Sequence, residues 1–292
     1  MANPANRLVE NIPGDFFVDD SCIDCDACRQ IAPHTFRDHG DQSSVFHQPE
    51  TDKEILAAMQ ALVACPTGSI GTTGLYDSRA AVQSFPYLIA ENIYFCGFTS
   101  ESSFGAWSYL VTRPGSSGGN VLVDSPRFNR PLAKRIEEMG GIETILLTHS
   151  DDIADHEKFA SHFNAKRVMH ADDGAVRYGI ERIIEGADPV QLDSDFLIVP
   201  TPGHTRGHQV FLYLNRFLFT GDHLAWSPEK NSLTAFRSVA WYSWPEQTRS
   251  MTRLLDYEFE WVLPGHGRIH HDSKQVMHAS LERCVEWMKT KA

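Results

Sequence analysis

The chain is 292 residues long, and with 42% hydrophobic and 22% charged residues it has the composition of an ordinary globular protein. This length is enough for more than one domain. The formal charge of −12 argues against nucleic acid as a partner, because phosphates are neutralised by Lys and Arg. The sequence has no apolar run of membrane-spanning length, and its first residues lack the basic flank and apolar stretch of a secretory signal. We therefore expect a cytoplasmic protein without a membrane partner.

Four cysteines lie in the first quarter of the chain. Cys22, Cys25 and Cys28 share one loop, and Cys65 follows later, directly before a proline. Four thiolates are what a cubane iron–sulfur cluster requires, whereas zinc sites usually present two separate C-x-x-C pairs. The pattern resembles bacterial-type ferredoxins that carry one cluster. That resemblance implies a [4Fe-4S] cluster bound by these cysteines and one-electron transfer, with zinc and spectator thiols as the alternatives.

Short elements are predicted around these cysteines. Apolar residues indicate a strand at 16–18, a hairpin with arms at 35–36 and 44–46, and a closing strand at 69–71. Thr51 and Glu54 have the spacing of a capping box, which predicts that a helix begins there. We therefore predict a small α+β ferredoxin-like domain over residues 1–75, followed by a linker over residues 76–90.

Strands and polar turns alternate through the rest of the chain. The pattern predicts strands at 94–96, 107–111, 121–124, 145–147, 197–199, 210–214 and 217–219, with a hairpin turn at 113–119. Leu132, Ile136 and Met139 recur at helical spacing before a Gly-Gly stop. A final helix is predicted from the apolar residues Val276, Leu281, Val285 and Met288.

Four apolar segments of this part of the chain end in turns that carry ligand-type side chains. The turns read T-H-S-D-D-I-A-D-H from Thr148, T-P-G-H-T from Thr201, G-D from Gly221 and P-G-H-G from Pro264. In this order they closely resemble the metallo-β-lactamase superfamily, whose members read T-H-x-H-x-D-H, T-P-G-H-T, G-D and P-G-H-G. The resemblance implies an α/β fold: an αββα metallo-β-lactamase sandwich over residues 91–292, preceded by the small α+β ferredoxin-like domain.

The resemblance also implies a metal site, although the first motif departs from the family pattern. Its second histidine is replaced by Asp151, and its Asp-His pair falls two residues late, on Asp155 and His156. The candidate ligands for one or two Fe or Zn ions are His149, Asp151, His156, His204, Asp222 and His266.

Further roles follow from position in these motifs. Asp222 matches the family's metal-bridging carboxylate and is a candidate catalytic residue. His208, four residues beyond His204, is the second candidate, as a group that orients a ligand or carries a proton. We expect Asp151 or Asp152 to cap the helix that follows the first motif.

Three functions are compatible with these motifs. Two histidines and one carboxylate with open positions are typical of non-haem Fe(II), and persulfide dioxygenases and flavodiiron proteins share the fold. The favoured interpretation is an iron-dependent redox enzyme that acts on a small-molecule substrate and receives electrons from its own ferredoxin domain, with a redox partner protein beyond it. The alternatives are a zinc or binuclear hydrolase of thioesters, similar to glyoxalase II, with a structural or regulatory cluster, and a non-catalytic redox sensor with a degenerate metal site.

Overall fold

The computed structural model describes residues 2–115 and 118–291. The chain forms two compact units, one made of Met1–Ile142 with Ala154–Asn164 and the other of Glu143–Ile153 with Ala165–Ala292. The predicted hairpin turn at 113–119 includes Ser116 and Ser117, which lie outside the described residues. No helix within the described ranges is long and apolar enough to cross a membrane.

The first part of the first unit is a small α+β structure. Its elements are β1 (Phe16–Val18), α1 (Ala27–Ile31), β2 (Phe36–Asp38), β3 (Ser43–Val45), α2 (Asp52–Ala64) and β4 (Ile70–Thr72). β1 pairs with β4 and β2 pairs with β3, both antiparallel. The capping box is present, because the Thr51 hydroxyl accepts the Glu54 N–H and the Glu54 carboxylate accepts the Thr51 N–H.

The rest of the first unit contains an antiparallel meander and three helices. They are α3 (Arg79–Gln83), β5 (Tyr87–Ala90), β6 (Ile93–Phe95), β7 (Tyr109–Val111), β8 (Val121–Val123), α4 (Arg130–Glu138) and, from the later segment, α5 (His156–Phe163). β5 to β8 pair consecutively. The helix α3 lies inside the predicted linker. It buries one residue, Ala81, and a single buried position produces no apolar periodicity in the sequence.

The second unit begins at the first motif and holds most of the strands. Its elements are β9 (Thr144–Leu146), β10 (Lys166–His170), β11 (Arg182–Ile184), β12 (Val190–Gln191), β13 (Phe196–Pro200), β14 (Gln209–Tyr213), β15 (Phe217–Gly221), β16 (Ala225–Ser227), β17 (Ser232–Thr234), α6 (Trp244–Arg253), β18 (Trp261–Pro264), β19 (His270–His271) and α7 (Lys274–Lys289). The chain is thus of the mixed α/β class.

Two strand arrangements in this unit determine where polar residues meet. β9, β10 and β11 run parallel, and a six-stranded sheet has the order β12-β13-β14-β15-β18-β19. Within that sheet only β15 and β18 pair in parallel. Their carboxyl ends therefore lie at the same edge, which brings the residues after Gly221 close to those after Pro264. α7 buries its apolar face, as its periodicity predicts, although Val276 is exposed.

Candidate metal centre

The motif residues of the second unit come together at the carboxyl ends of four strands. His149 follows β9, His204 follows β13, Asp222 directly follows β15 and His266 follows β18. Two groups of donor atoms form, each with all its atoms within 4.8 Å of one another: His149, His204 and Asp222, and Asp152, Asp222 and His266. Asp222 belongs to both groups, which is the arrangement of a carboxylate that bridges two metal ions.

In the first group, two imidazoles face one carboxylate oxygen. Asp222 Oδ2 lies 3.8 Å from His149 Nε2 and 3.7 Å from His204 Nε2. His149 Nδ1 forms a hydrogen bond with Thr148 Oγ1 at 2.9 Å, and His204 Nδ1 forms one with the Val239 carbonyl at 2.5 Å. The opposite nitrogen of each ring is buried and makes no hydrogen bond within the described part of the chain. Two buried ring nitrogens without a hydrogen-bond partner among the described residues, both facing a carboxylate, are suitable ligands for a metal ion.

In the second group, carboxylates dominate. Asp222 Oδ1 accepts a hydrogen bond from His266 Nδ1 at 2.7 Å, and Asp152 is 1% exposed. A Cβ at Gly265 would lie 2.5 Å from Asp152 Oδ2 and 3.1 Å from Asp222 Oδ1. Only a glycine therefore allows the two carboxylates to approach this turn. Buried carboxylates this close together are compatible with a cation between them.

Burial and the neighbouring charges together determine the protonation states of the site. Burial lowers the pKa of His149, and the neutral imidazole is the form that ligates. Burial acts to raise the pKa of Asp222, but His266, His149 and His204 outweigh it and hold the pKa well below its usual range. Burial likewise acts to lower the pKa of His204, but the carboxylates of Asp151 and Asp222 outweigh it and raise that pKa. Asp222 is therefore ionised at neutral pH.

The two adjacent aspartates of the first motif, Asp151 and Asp152, have different positions. Asp151 is half exposed, with its Oδ2 3.5 Å from His204 Nε2, whereas Asp152 is buried beside His149. The expectation that one of them caps the next helix is wrong, because α5 begins at His156 with Asp155 as its N-cap residue. Residues 151–154 stay outside the helix, so the Asp152 side chain takes part in the second group. The sequence offered no signal to separate it from its neighbour.

The remaining predicted site residues lie elsewhere. His156 is buried at the start of α5, in the first unit, and among the described residues neither donor group includes it. His208 is buried beside the centre, with its ring centroid 5.1 Å from that of His149 and its Nδ1 3.0 Å from Thr201 Oγ1. Burial lowers the pKa of His208 well below the ordinary value, so this ring is neutral. The predicted roles of both histidines stay predictions.

The four motif cysteines line one small pocket in the first unit. Cys28 is buried and Cys22, Cys25 and Cys65 are half-buried, all as free thiols. Burial raises the pKa of Cys25 to about 12, so this thiol ionises readily only when a cation neutralises it. Arg29 is buried next to the loop, with Nη1 2.9 Å from Asp24 and 3.1 Å from Asp38. Four thiols converging on one pocket suit a cluster of the cubane type.

Comparison with known proteins agrees with both parts of the chain. Residues 18–72 match the family described as the 4Fe-4S single cluster domain of Ferredoxin I. The crystal structure of the metallo-β-lactamase DIM-1 exposed to ceftazidime superimposes with a TM-score of 0.53 at 18% sequence identity, covering 70% of this chain and 96% of that one. The chain therefore joins a single-cluster ferredoxin-type domain to a domain with the metallo-β-lactamase fold, as the motifs predict.

Two curated relatives of the chain are named for the same activity. The chain is 30% identical over 121 residues to hydroxyacylglutathione hydrolase of Buchnera aphidicola subsp. Acyrthosiphon pisum, covering 40% of this chain and 47% of that protein. It is 34% identical over 105 residues to the hydroxyacylglutathione hydrolase of Enterobacter sp. strain 638, covering 35% and 41%. The chain thus spans about half the length of the curated relatives it matches.

Proposed function

We propose that the chain is a binuclear metal-dependent hydrolase of thioesters whose ferredoxin-type domain is not needed for the hydrolytic step. The observation that carries this proposal is the position of Asp222, which is shared by two groups of buried donors. His149 and His204 would hold one metal ion with Asp222, and Asp152 and His266 would hold the other. When bound, such a metal pair would lower the pKa of a water molecule to near neutral and would polarise the carbonyl that this water attacks.

The residues of this chain have distinct tasks in that reaction. The carbonyl of Val239 and the hydroxyl of Thr148 fix the rings of His204 and His149 so that the Nε2 atoms face Asp222. Asp151 is half exposed beside His204, where its carboxylate reaches both the site and solvent. We assign to Asp151 the acceptance of a proton during turnover, since an exposed carboxylate exchanges protons directly with water.

The substrate class rests on two supports. The curated relatives are named hydroxyacylglutathione hydrolases, which points to a hydroxyacyl thioester of a small thiol. Trp241 is 65% exposed, and its ring centroid lies 6.2 Å from that of His204. An exposed aromatic ring next to a metal ligand offers a flat apolar surface on which the acyl or thiol part of a substrate can pack.

The test is a hydrolysis assay with a hydroxyacylglutathione on protein purified without oxygen, together with metal analysis. We expect two metal ions per chain beyond the iron of the cluster. Asp222→Asn should lower kcat/KM by more than the roughly 10–100-fold that loss of an outer-shell partner costs. Asp188→Asn, an exposed aspartate of the same unit, is the matched control. Unchanged hydrolysis in Asp222→Asn would contradict the proposal, and absence of metal would favour the sensor alternative.

A second candidate is the iron-dependent redox enzyme, because of the oxygen-rich donor set. Asp151, Asp152 and Asp222 put three carboxylates beside three histidines, a composition that suits iron at least as well as zinc. A single-cluster domain in the same chain would be a source of electrons, and a redox partner protein would reduce the cluster again.

The two candidates differ in their need for electrons. Hydrolysis neither consumes nor releases electrons, so turnover of the thioester should be the same with the cluster reduced by dithionite or oxidised by ferricyanide under argon. Iron in place of zinc in the second unit, with turnover only when the cluster is reduced, would favour the redox enzyme.

A further inference from the structure

A buried carboxylate outside both donor groups connects the two loops that carry His149 and His204. Asp173 ends the short turn after β10 and is 8% exposed. Its Oδ2 accepts hydrogen bonds from the Ser150 N–H at 3.0 Å and the Thr205 hydroxyl at 2.6 Å. Its Oδ1 accepts one from the Gly207 N–H at 2.6 Å. Both oxygens of this side chain are therefore engaged by the protein itself.

The hydrogen-bond donors to Asp173 belong to the loops that carry His149 and His204. Ser150 stands between His149 and Asp151, and Thr205 directly follows His204. These loops follow β9 and β13, which are not paired with each other. Gln209 joins the ends of the two loops directly, through hydrogen bonds from its N–H to the Thr148 carbonyl and from its side-chain NH₂ to the Leu147 carbonyl. Nearer the histidines, Asp173 joins the same two loops through a single carboxylate. Hydrogen bonds to a carboxylate are shorter and stronger than neutral ones, which suits a rigid connection.

The local sequence is adapted to this contact. A Cβ at Gly207 would lie 2.5 Å from the Asp173 backbone nitrogen and 2.8 Å from its Oδ1. Any other residue at position 207 would push the carboxylate away from the two N–H groups it accepts from. Glycine is thus required here by close approach.

We propose that Asp173 is a positioning residue of the metal centre, which sets metal affinity by fixing the spacing between the His149 and His204 loops. This inference rests on the metal site of the proposed function. A carboxylate accepts at both oxygens, whereas an asparagine in its place has one acceptor and an NH₂ group that faces a donor. With Asp173 altered, the two loops keep the Gln209 contacts but lose the connection next to the histidines, and the separation between the donor atoms of His149 and His204 is less closely fixed.

The first experiment measures zinc affinity of the full chain by competition with a chromophoric chelator. Asp173→Asn should bind zinc about 10–100-fold more weakly than wild type, the range typical of outer-shell substitutions. The matched control is Asp172→Asn, which removes the neighbouring, half-exposed carboxylate beside Arg206 and should leave the affinity unchanged. The thermal unfolding of the metal-free proteins, recorded in parallel, shows the temperature range in which each variant is folded.

A second pair of variants keeps the carboxylate in place. Thr205→Val removes one of its hydrogen bonds at nearly constant volume, and Thr205→Ser restores it. Zinc affinity should fall in the first and return in the second, while a merely structural role would change the unfolding temperature alone. Wild-type affinity in folded Asp173→Asn and Thr205→Val overturns this inference and leaves the proposed function standing. Absence of zinc binding in the wild type overturns both.

Discussion

At the scale of single residues, the ring of His204 is oriented by what lies on its far side. Its Nδ1 faces the Val239 carbonyl, so in the neutral ring this nitrogen carries the proton and Nε2 keeps its lone pair toward Asp222. Second partners of this kind fix both the tautomer and the direction of a ligand. The histidine is therefore prepared for a metal ion before one binds.

His204→Ala should remove metal from the second unit and leave the iron–sulfur absorbance of the cysteine site unchanged. The loss follows because one of the buried donors that face Asp222 disappears. Metal analysis and the visible spectrum of the full chain check this outcome. His278→Ala, a half-exposed histidine on α7, is the control. Full metal retention in His204→Ala would rule out this ligand assignment.

Arg29 stabilises the loop that carries the cysteines. It is buried and contacts three carboxylates, those of Asp24, Asp26 and Asp38, of which Asp38 is well exposed. Arg29→Gln leaves these charges without a counter-charge, and we expect a loss of about 2 kcal/mol in the free energy of unfolding, after discounting for solvent screening. Denaturant unfolding followed by cluster absorbance measures it. The exposed neighbour Arg37→Gln should change it little, and equal effects of the two variants would contradict the prediction.

The site residues also show how far motifs alone can lead. Four site residues lie just beyond the ends of strands, so the sequence places them at the strand ends that the structure brings together: His149, His204, Asp222 and His266. Asp152 was not predicted, because its role depends on where α5 begins, and helix starts are among the least certain features of a sequence. Asp173 has no motif at all, since its contacts join three loops that are far apart in the chain.

At the scale of elements, the sequence predicted those helices whose signals are local. The Thr51 capping box and the apolar face of α7 are visible in the sequence and present in the structure. The five residues of α3 are too few for periodicity, and the loop between β6 and β7 has no pattern that shows what it covers. Within the first unit that loop packs on the cysteine site: Gly105 lies against Cys25, and Thr99 donates to the Ala64 carbonyl.

Gly105→Ala should disturb the cluster through this loop. A Cβ there would lie 2.6 Å from Cys25 Cβ and 2.8 Å from its Sγ, so the ligand must move. Gly115→Ala is the matched control, because its φ of +81° is close to the +83° of Gly105 and its surroundings are open. Both variants carry the backbone strain, and Gly105→Ala should cost about 1–3 kcal/mol more, as overpacking does. Iron and sulfide content and the rate of cluster bleaching in air are the measurements. Equal bleaching rates in the two variants would contradict this role of the loop.

At the scale of the whole molecule, the two chemistries are divided between the two units. The four cysteines lie in the first unit, and both donor groups lie entirely in the second. Fusion in one chain does not by itself require that electrons pass from cluster to metal. A cluster also stabilises its own unit, because the free energy of binding to a site absent from the unfolded chain adds to folding.

Cys65→Ser in the full chain separates these two effects. The variant loses a cluster ligand at the end of α2, next to the Ala64 carbonyl that accepts hydrogen bonds from Thr99. We expect the cluster to be lost and the unfolding temperature of the first unit to fall. Visible absorbance measures the first effect and circular dichroism the second. Thioester hydrolysis should stay within about a factor of two of wild type, the scatter expected for residues that share no partners. Cys284→Ser, a buried cysteine of α7, is the control for a thiol replacement away from the cluster. If hydrolysis instead disappears with the cluster while zinc stays bound, the cluster has a part in turnover, which contradicts the proposal that the ferredoxin-type domain is not needed for the hydrolytic step.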